Sequence, residues 1–183
     1  MNDIIQLKIS LQDSKPPIWR RILIDKDATF FELHQIIQIV MGWHNSHLHQ
    51  FEIGQRIIGE YEEKTENSFF YHEVEDEKKI RLSELTNSPK TSFKYIYDMG
   101  DYWQHKILVE NFLPRESLTQ YPSCIKGKLN CPPEDCGGIY GFYELLEILA
   151  DSKHPEYKSM RKWVGKDYSP ELFDMEYINQ SLK

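Results

Sequence analysis

The sequence predicts an α+β fold: a mainly antiparallel sheet with one early helix and a C-terminal group of short helices. Three observations carry it. Apolar residues alternate in short runs through the first two thirds of the chain, the period of a half-buried strand. A single stretch near residue 30 switches to helical spacing. After the Gly137-Gly138 step the helical period returns and persists. Strands first and helices last is the α+β pattern.

The elements follow in order. Ile5, Leu7, Ile9 and Leu11 alternate and predict a strand. Pro16-Pro17 breaks it, and Ile18–Ile24 reads as a second strand. Thr29 and Glu32 form the S/T-x-x-E capping box of a helix. Leu33, Ile36, Ile37, Val40 and Met41 follow at helical spacing, and Gly42 suits the position past its end. His47, His49, Phe51 and Ile53 alternate, which would put all four on one face of a strand, with Ile57 and Ile58 as its hairpin return. Arg81–Leu85 reads as a helical turn. Phe93, Tyr95 and Tyr97 mark one strand face, and Trp103, His105, Ile107 and Val109 another. Asp98-Met99-Gly100-Asp101 between them reads as a tight turn. Residues 114–138 show no period. Helices are expected over about Phe142–Ala150, with Leu145, Leu146 and Leu149 inward, and over about Pro155–Val164, stopped by Gly165. Ser169 would cap a third helix with Pro170 at its first position.

The 183 residues read as one domain, 1–183, with an acidic loop or hairpin inserted at about 60–79. Lys and Arg number 22 against 29 Asp and Glu, a net charge of −7. That disfavours nucleic acid as a partner, since phosphate binding draws on Lys and Arg. The charge is uneven, however. Residues 60–79 hold eight acids and three bases, so −5 sits there and −2 elsewhere, which leaves room for a basic face. That segment reads as a solvated loop, with Phe69, Phe70 and Tyr71 suggesting a paired strand. No apolar run approaches the ~20 residues of a membrane span, and no signal peptide opens the chain. Three cysteines, an odd and low number, fit a reducing cytoplasm better than a disulfide framework.

Four groups of residues carry possible chemistry. Cys124, Cys131 and Cys136 have thiolates suited to zinc, with His47, His49 or His105 as a fourth ligand. Their spacing lacks a C-x2-C pair, so small buried hydrophobes packing the loop is the competing reading. His47 and His49 at i and i+2 would grip one cation, or pack as core histidines where their face continues into Phe51 and Ile53. Asp98 and Asp101 at the hairpin tip, with His105 beyond, suit a divalent ion or acid–base work; ordinary turn chemistry needs the same residues. Gly137-Gly138 opening a helix would bind an anion or simply make a turn. There, Glu134 and Asp135 repel phosphate unless Arg20 and Arg21 intervene, while Lys126 and Lys128 offer a small basic site nearby. Trp43 and Trp103 read as core or pocket wall, with base stacking as the alternative. Cys131 with His105 as a nucleophile pair has no local signature. Phosphate-loop, dinucleotide, zincin and lipase motifs are all missing from the sequence.

Several motifs, taken in order, resemble the plasmid pRi ORF-three-like family. They are Trp19-Arg20-Arg21, Met41-Gly42-Trp43-His44 leading to His47-Leu48-His49-Gln50-Phe51, and Tyr97-Asp98-Met99-Gly100-Asp101-Tyr102-Trp103-Gln104-His105. Tyr121-Pro122-Ser123-Cys124 and Cys131-Pro132-Pro133-Glu134-Asp135-Cys136-Gly137-Gly138 complete the set. The resemblance spans about residues 4–182. It implies a fold and an association with mobile elements, related domains being described as passenger, resolvase-like proteins of insertion elements. Met99 and Gln104 stand where the family has Phe and Glu, and Ser169 where it often has Asp. Two functions are therefore carried forward. One is a cytoplasmic binding or accessory module of a mobile-element-associated family. The other is a metal-dependent hydrolase, with nucleic acid among its substrates and a His/Asp/Cys site using zinc. A serine recombinase needs a reactive serine beside arginines, and no such cluster is placed.

Overall fold

The computed structural model describes residues 3–60 and 74–183. The strands are β1 (Ile4–Leu11), β2 (Trp19–Asp25), β3 (His49–Ile53), β4 (Arg56–Gly59), β5 (Val74–Asp76), β6 (Ser92–Tyr97), β7 (Trp103–Leu113) and β8 (Ser123–Lys128). They form one sheet in the order β5-β4-β3-β6-β7-β1-β2-β8, antiparallel everywhere except β4–β5. The helices are α1 (Phe30–Met41), α2 (Leu82–Leu85), α3 (Gly138–Ala150), α4 (Tyr157–Val164) and α5 (Met175–Ser181). The α+β class is the one the sequence predicts, while β5, inside the acidic 60–79 stretch, and β8 are strands it does not predict. Phe69–Tyr71, and the strand suggested there, lie outside the described residues.

The alternation in β1 and β2 sorts side chains between two faces. Ile5, Leu7, Ile9 and Ile22 are fully buried, as are Phe51, Tyr95, Tyr97 and Ile107 on their neighbours. Helix α1 belongs to the same core: Phe30 packs edge-on against Phe51 and Phe93, at 5.0 and 5.8 Å between ring centroids. Its start is the expected capping box. Thr29 Oγ1 accepts from the Glu32 amide, and the Glu32 carboxylate accepts from the Thr29 amide. Gly42 ends the helix at φ 79°, a conformation that costs a side chain strain.

Three expectations change. The stretch 114–138 contains β8, paired with β2. A register shift at Arg21/Ile22 leaves Cys124 as the strand's one buried residue, so no apolar alternation advertises it. Ser169-Pro170 makes a turn instead of starting a helix. Asn130 holds that turn, its amide donating to Pro170 O and its side chain to Ser169 O. The last helix starts instead at Met175, where Asp174 accepts from the Tyr177 amide. Finally, α3 begins at Gly138 and buries Leu145 and Ile148, with Leu146 and Leu149 only half-buried.

The hairpin tip between β6 and β7 and the first turn of α3 touch directly. Asp101 accepts from the Gly137 amide at 3.1 Å. A Cβ on Gly138, which sits at φ 68°, would lie 2.5 Å from the Asp101 carbonyl oxygen. A Cβ on Gly42 would meet nothing within 4 Å, though φ is also positive. Gly138→Ala is therefore expected to destabilise by about 2–4 kcal/mol, from overpacking plus backbone strain. Gly42→Ala should cost only about 1 kcal/mol. Equal losses by chemical denaturation would contradict the close contact.

Two histidines are core residues. His105, in the middle of β7, is fully buried, and burial lowers its pKa to about 4. His34 on α1 is 1% exposed and is also lowered to about 4, by burial first and then by the neighbouring His49. Unfolded imidazoles protonate near 6.5. Their stability contribution is thus complete above about pH 6.5 and is lost as pH falls toward 4. At pH 5 the loss is about 2 kcal/mol per histidine. Urea midpoints at neutral pH and at about pH 5 should diverge accordingly. His105→Phe and His34→Gln should each shrink the divergence, and an undiminished drop in both variants would refute the assignment.

Candidate functional site

The loop after α1 is fixed by Trp43. Its ring stacks on Tyr97, with centroids 5.1 Å apart, and its Nε1 donates to the Pro132 carbonyl at 2.9 Å. This brings the Pro132–Asp135 segment against the end of β6. Glu134 then ties the two loops to the sheet. One of its oxygens accepts from the Tyr97 hydroxyl at 2.5 Å and the other from the His44 amide at 2.9 Å. The Tyr97 oxygen in turn accepts from the Ser46 amide. Burial, then the Glu134 carboxylate, pushes the Tyr97 pKa up, so the hydroxyl stays protonated and donates.

Within this frame, three side chains converge. His47 Nε2 lies 3.0 Å from Asp135 Oδ1 and 3.7 Å from Asp98 Oδ2. One donor atom from each of the three residues lies within 4.8 Å of the others. The Nε2 atom is buried, yet forms no well-aligned hydrogen bond to either carboxylate. Asp98 is held at φ 58° by the turn. Its amide donates to Leu48 O, its carbonyl accepts from the Tyr102 amide, and its Oδ1 accepts from the Gly100 amide. Turn chemistry therefore uses one carboxylate oxygen and leaves Oδ2 toward His47. Asp135, at φ 60°, is largely exposed. A cavity of about 430 Å³ opens beside it, walled by His44, Ser46, Glu134, Trp163 and Tyr168.

The other expected residues lie elsewhere. His47 and His49 do not share a strand face, because β3 starts only at His49. The His49 ring stacks on His34 at 3.4 Å, and its Nε2 lies 2.6 Å from a carboxylate oxygen of buried Glu77. Asp101 serves the N-terminus of α3, its carboxylate accepting from the Gly137 amide, so the glycine step makes the turn into the helix. His105 sits in the core, edge-on to Trp43, and reaches neither Asp98 nor Asp101. Trp103 is buried beside them, as expected of core.

The three cysteines are free and are not gathered as ligands; among the described residues the one grouping of three or more donors is His47, Asp98 and Asp135. Cys131 Sγ accepts from Arg20 Nη2 at 3.1 Å and lies 3.3 Å from Met41 Sδ. Cys136 Sγ faces the Gly138 carbonyl, and burial pushes its thiol up to about 12. Burial also raises Cys124 and Cys131, so all three stay thiols. The periodless loop is held by hydrogen bonds from Trp43, His44, Tyr97 and the Tyr168 hydroxyl, which donates to Cys131 O. Arg20 is 2% exposed and donates to the Val40, Trp19 and Lys128 carbonyls, while Arg21 pairs with Glu110; neither reaches the glycine step. Sequence reasoning missed Asp135 as a partner of His47 and Glu134 as the tie. The only signal was their place inside the Cys-Pro-Pro-Glu-Asp-Cys-Gly-Gly motif.

Comparison with known proteins places this architecture. Over 180 residues the chain is 31% identical to an uncharacterized protein, y4hQ, of Sinorhizobium fredii, covering 98% of this chain and 90% of that one. The crystal structure of a protein of unknown function from Methanosarcina mazei Go1 superposes with a TM-score of 0.82 at 37% identity, covering 98% of this chain and 97% of the other. A profile of the family described as Plasmid pRiA4b ORF-3-like protein matches residues 3–177, nearly the whole fold and every residue of the convergent site. The chain belongs to the plasmid pRiA4b ORF-3-like family.

Proposed function

We propose that the protein is a metal-dependent hydrolase in which His47, Asp98 and Asp135 hold one divalent cation beside the 430 Å³ cavity. The observation that carries this reading is the convergence of three donor atoms within 4.8 Å on two loops and a hairpin tip. One imidazole and two carboxylates suit zinc, manganese or iron(II). Three protein ligands leave positions for water and substrate, as catalytic sites require. A bound ion would polarise a substrate carbonyl or phosphoryl oxygen and make its water more acidic. The chain's own contribution is positional. Tyr97 and Glu134 fix the loop that presents Asp135, and exposed His44 on the cavity wall is placed to carry a proton.

A second reading keeps the convergent residues but not the reaction: a cytoplasmic binding or accessory module associated with mobile elements, in which they form a binding site or a rigid partner surface. Two points favour it. Both Glu134 oxygens are already engaged, so this carboxylate is not free to act as a base. The family description also names a plasmid reading frame. Free thiols on all three cysteines fit a reducing compartment, and no helix among the described residues is long and apolar enough to cross a membrane.

Elemental analysis and Co(II), Mn(II) and Zn(II) titrations distinguish these readings. About one ion per chain is expected, with affinity falling at least about 10-fold in Asp135→Asn and His47→Ala. Cys124→Ser, Cys131→Ser and Cys136→Ser should retain it. Asp135 is the cleaner target, because Asp98 also holds the turn. No bound ion under any loading removes the hydrolase and leaves the accessory module. An ion without turnover of ester, amide and phosphodiester probes would leave the accessory module.

A further inference from the structure

The face of the sheet opposite the core carries a ladder of cations. Strand register places Lys126, Arg21, Lys8 and Leu108 in one row across β8, β2, β1 and β7. The next row reads Lys128, Trp19, Ser10, Lys106, Lys94 and Glu52, from β8 to β3. All of these side chains are exposed or half-buried. These two rows thus hold six cations and one carboxylate, Glu52, in a chain whose net charge is −7; Asp25, Asp76 and Glu110 lie on the same face outside the rows. Net charge averages over the molecule; register shows where the charge lies.

The arrangement opposes the sheet's own stability. Like charges directly opposite one another on neighbouring strands are destabilising. Here Lys8 faces Arg21, Arg21 faces Lys126, and Lys94 faces Lys106. Compensation is partial. Glu110 takes Arg21 bidentately, and Glu52 lies 3.5 Å from Lys94. Lys106, Lys126 and Lys128 have no ion-pair partner among the described residues. A local rule broken repeatedly on one face marks a functional surface.

An aromatic residue sits among these cations. The Trp19 ring has the Lys8 ammonium 5.0 Å and the Arg21 guanidinium 5.1 Å from its centroid. A groove of about 360 Å³ continues the surface, lined by Gln12, Glu52, Ser92, Lys94, Gln104 and Lys106. From Lys128 to Lys94 the row crosses four strand gaps, about 19 Å. Cations tracking a backbone, with an aromatic platform and amides beside them, match the chemistry of single-stranded nucleic acid.

We propose that this open sheet face binds single-stranded nucleic acid, its phosphates on Lys8, Lys94, Lys106, Lys126 and Lys128 and a base against Trp19. The proposal does not depend on the metal reading, so it is tested in EDTA.

The assay is fluorescence anisotropy of the full chain with a labelled mixed-sequence RNA or DNA strand of about 20 nucleotides. Affinity should fall with salt, with a log–log slope of about −3.5 if all five lysines take phosphates. The double variant Lys94→Glu/Lys106→Glu should weaken binding at least about 10-fold and flatten that slope by about 1.4. Both side chains are exposed, and the variant exchanges one opposed pair of like charges for another, so its urea midpoint is measured beside its binding. Trp19→Leu should weaken the single strand by about 10-fold with little change in the slope. Three kinds of outcome would overturn the proposal. One is no binding at about 50 mM salt, or binding indifferent to the lysine variant. Another is a duplex bound as tightly as the strand. The third is labelled poly-glutamate bound as tightly through the same lysines, which would assign the face to an acidic protein.

Discussion

The carboxylate of Glu134 is the constraint on which the site depends. It accepts from a β6 hydroxyl and from the backbone of the loop after α1, and it belongs to a third segment that has no regular structure. Three pieces distant in sequence are registered by one side chain. Charge-assisted hydrogen bonds are stronger than neutral ones, and Glu134 accepts two, at 2.5 and 2.9 Å. The residue after Glu134 then has little freedom, and Asp135 comes to lie against His47. Trp43 reinforces the arrangement from below through its stack on Tyr97 and its bond to Pro132. The convergent donors are thus a product of packing as well as of sequence motifs.

That division explains what could be read in advance. The strands β1, β2, β6 and β7 and helix α1 were legible because each buries one face, and burial writes a period into the sequence. Thr29, Glu32 and Gly42 marked the ends of α1 by local chemistry alone. Strand β8 was illegible because it lies at the sheet edge and its bulge shifts the register. Ser169 looked like a helix cap, but a bond to Asn130, 39 residues away, decided the matter. Asp98 and His47 were singled out by residue type. Which histidine would meet Asp98 depended on where β3 begins, and that is fixed by pairing with Tyr97. Asp135 needed the tie at Glu134, a tertiary contact with no local trace.

The two faces of the sheet solve different problems. On the inner face, polar groups are paired or neutral: Tyr95 bonds His34 and Gln38, and Arg20 spends its donors on backbone carbonyls and a thiol. These partners satisfy groups that would otherwise be costly to bury. The outer face is solvated, so unpaired lysines are cheap there individually, though they repel one another across strands. The convergent residues His47, Asp98 and Asp135 lie at neither face but at the ends of strands and in loops, where side chains from separate segments can meet without disturbing the ladder.

The outer strands also bear on self-association. Among the described residues the sheet is open, with β5 and β8 at its edges. An unpaired strand edge is a template for another chain, and proteins blunt it with short strands, charges or bulges. Strand β5 is three residues long, Val-Glu-Asp, and β8 carries Lys126, Lys128 and the register shift opposite Arg21. A second copy approaching β8 edge to edge would bring lysine against lysine and meet a ladder that is locally out of step. The sheet therefore terminates itself: the features that make β8 hard to see in the sequence also discourage the fold from growing into a fibre.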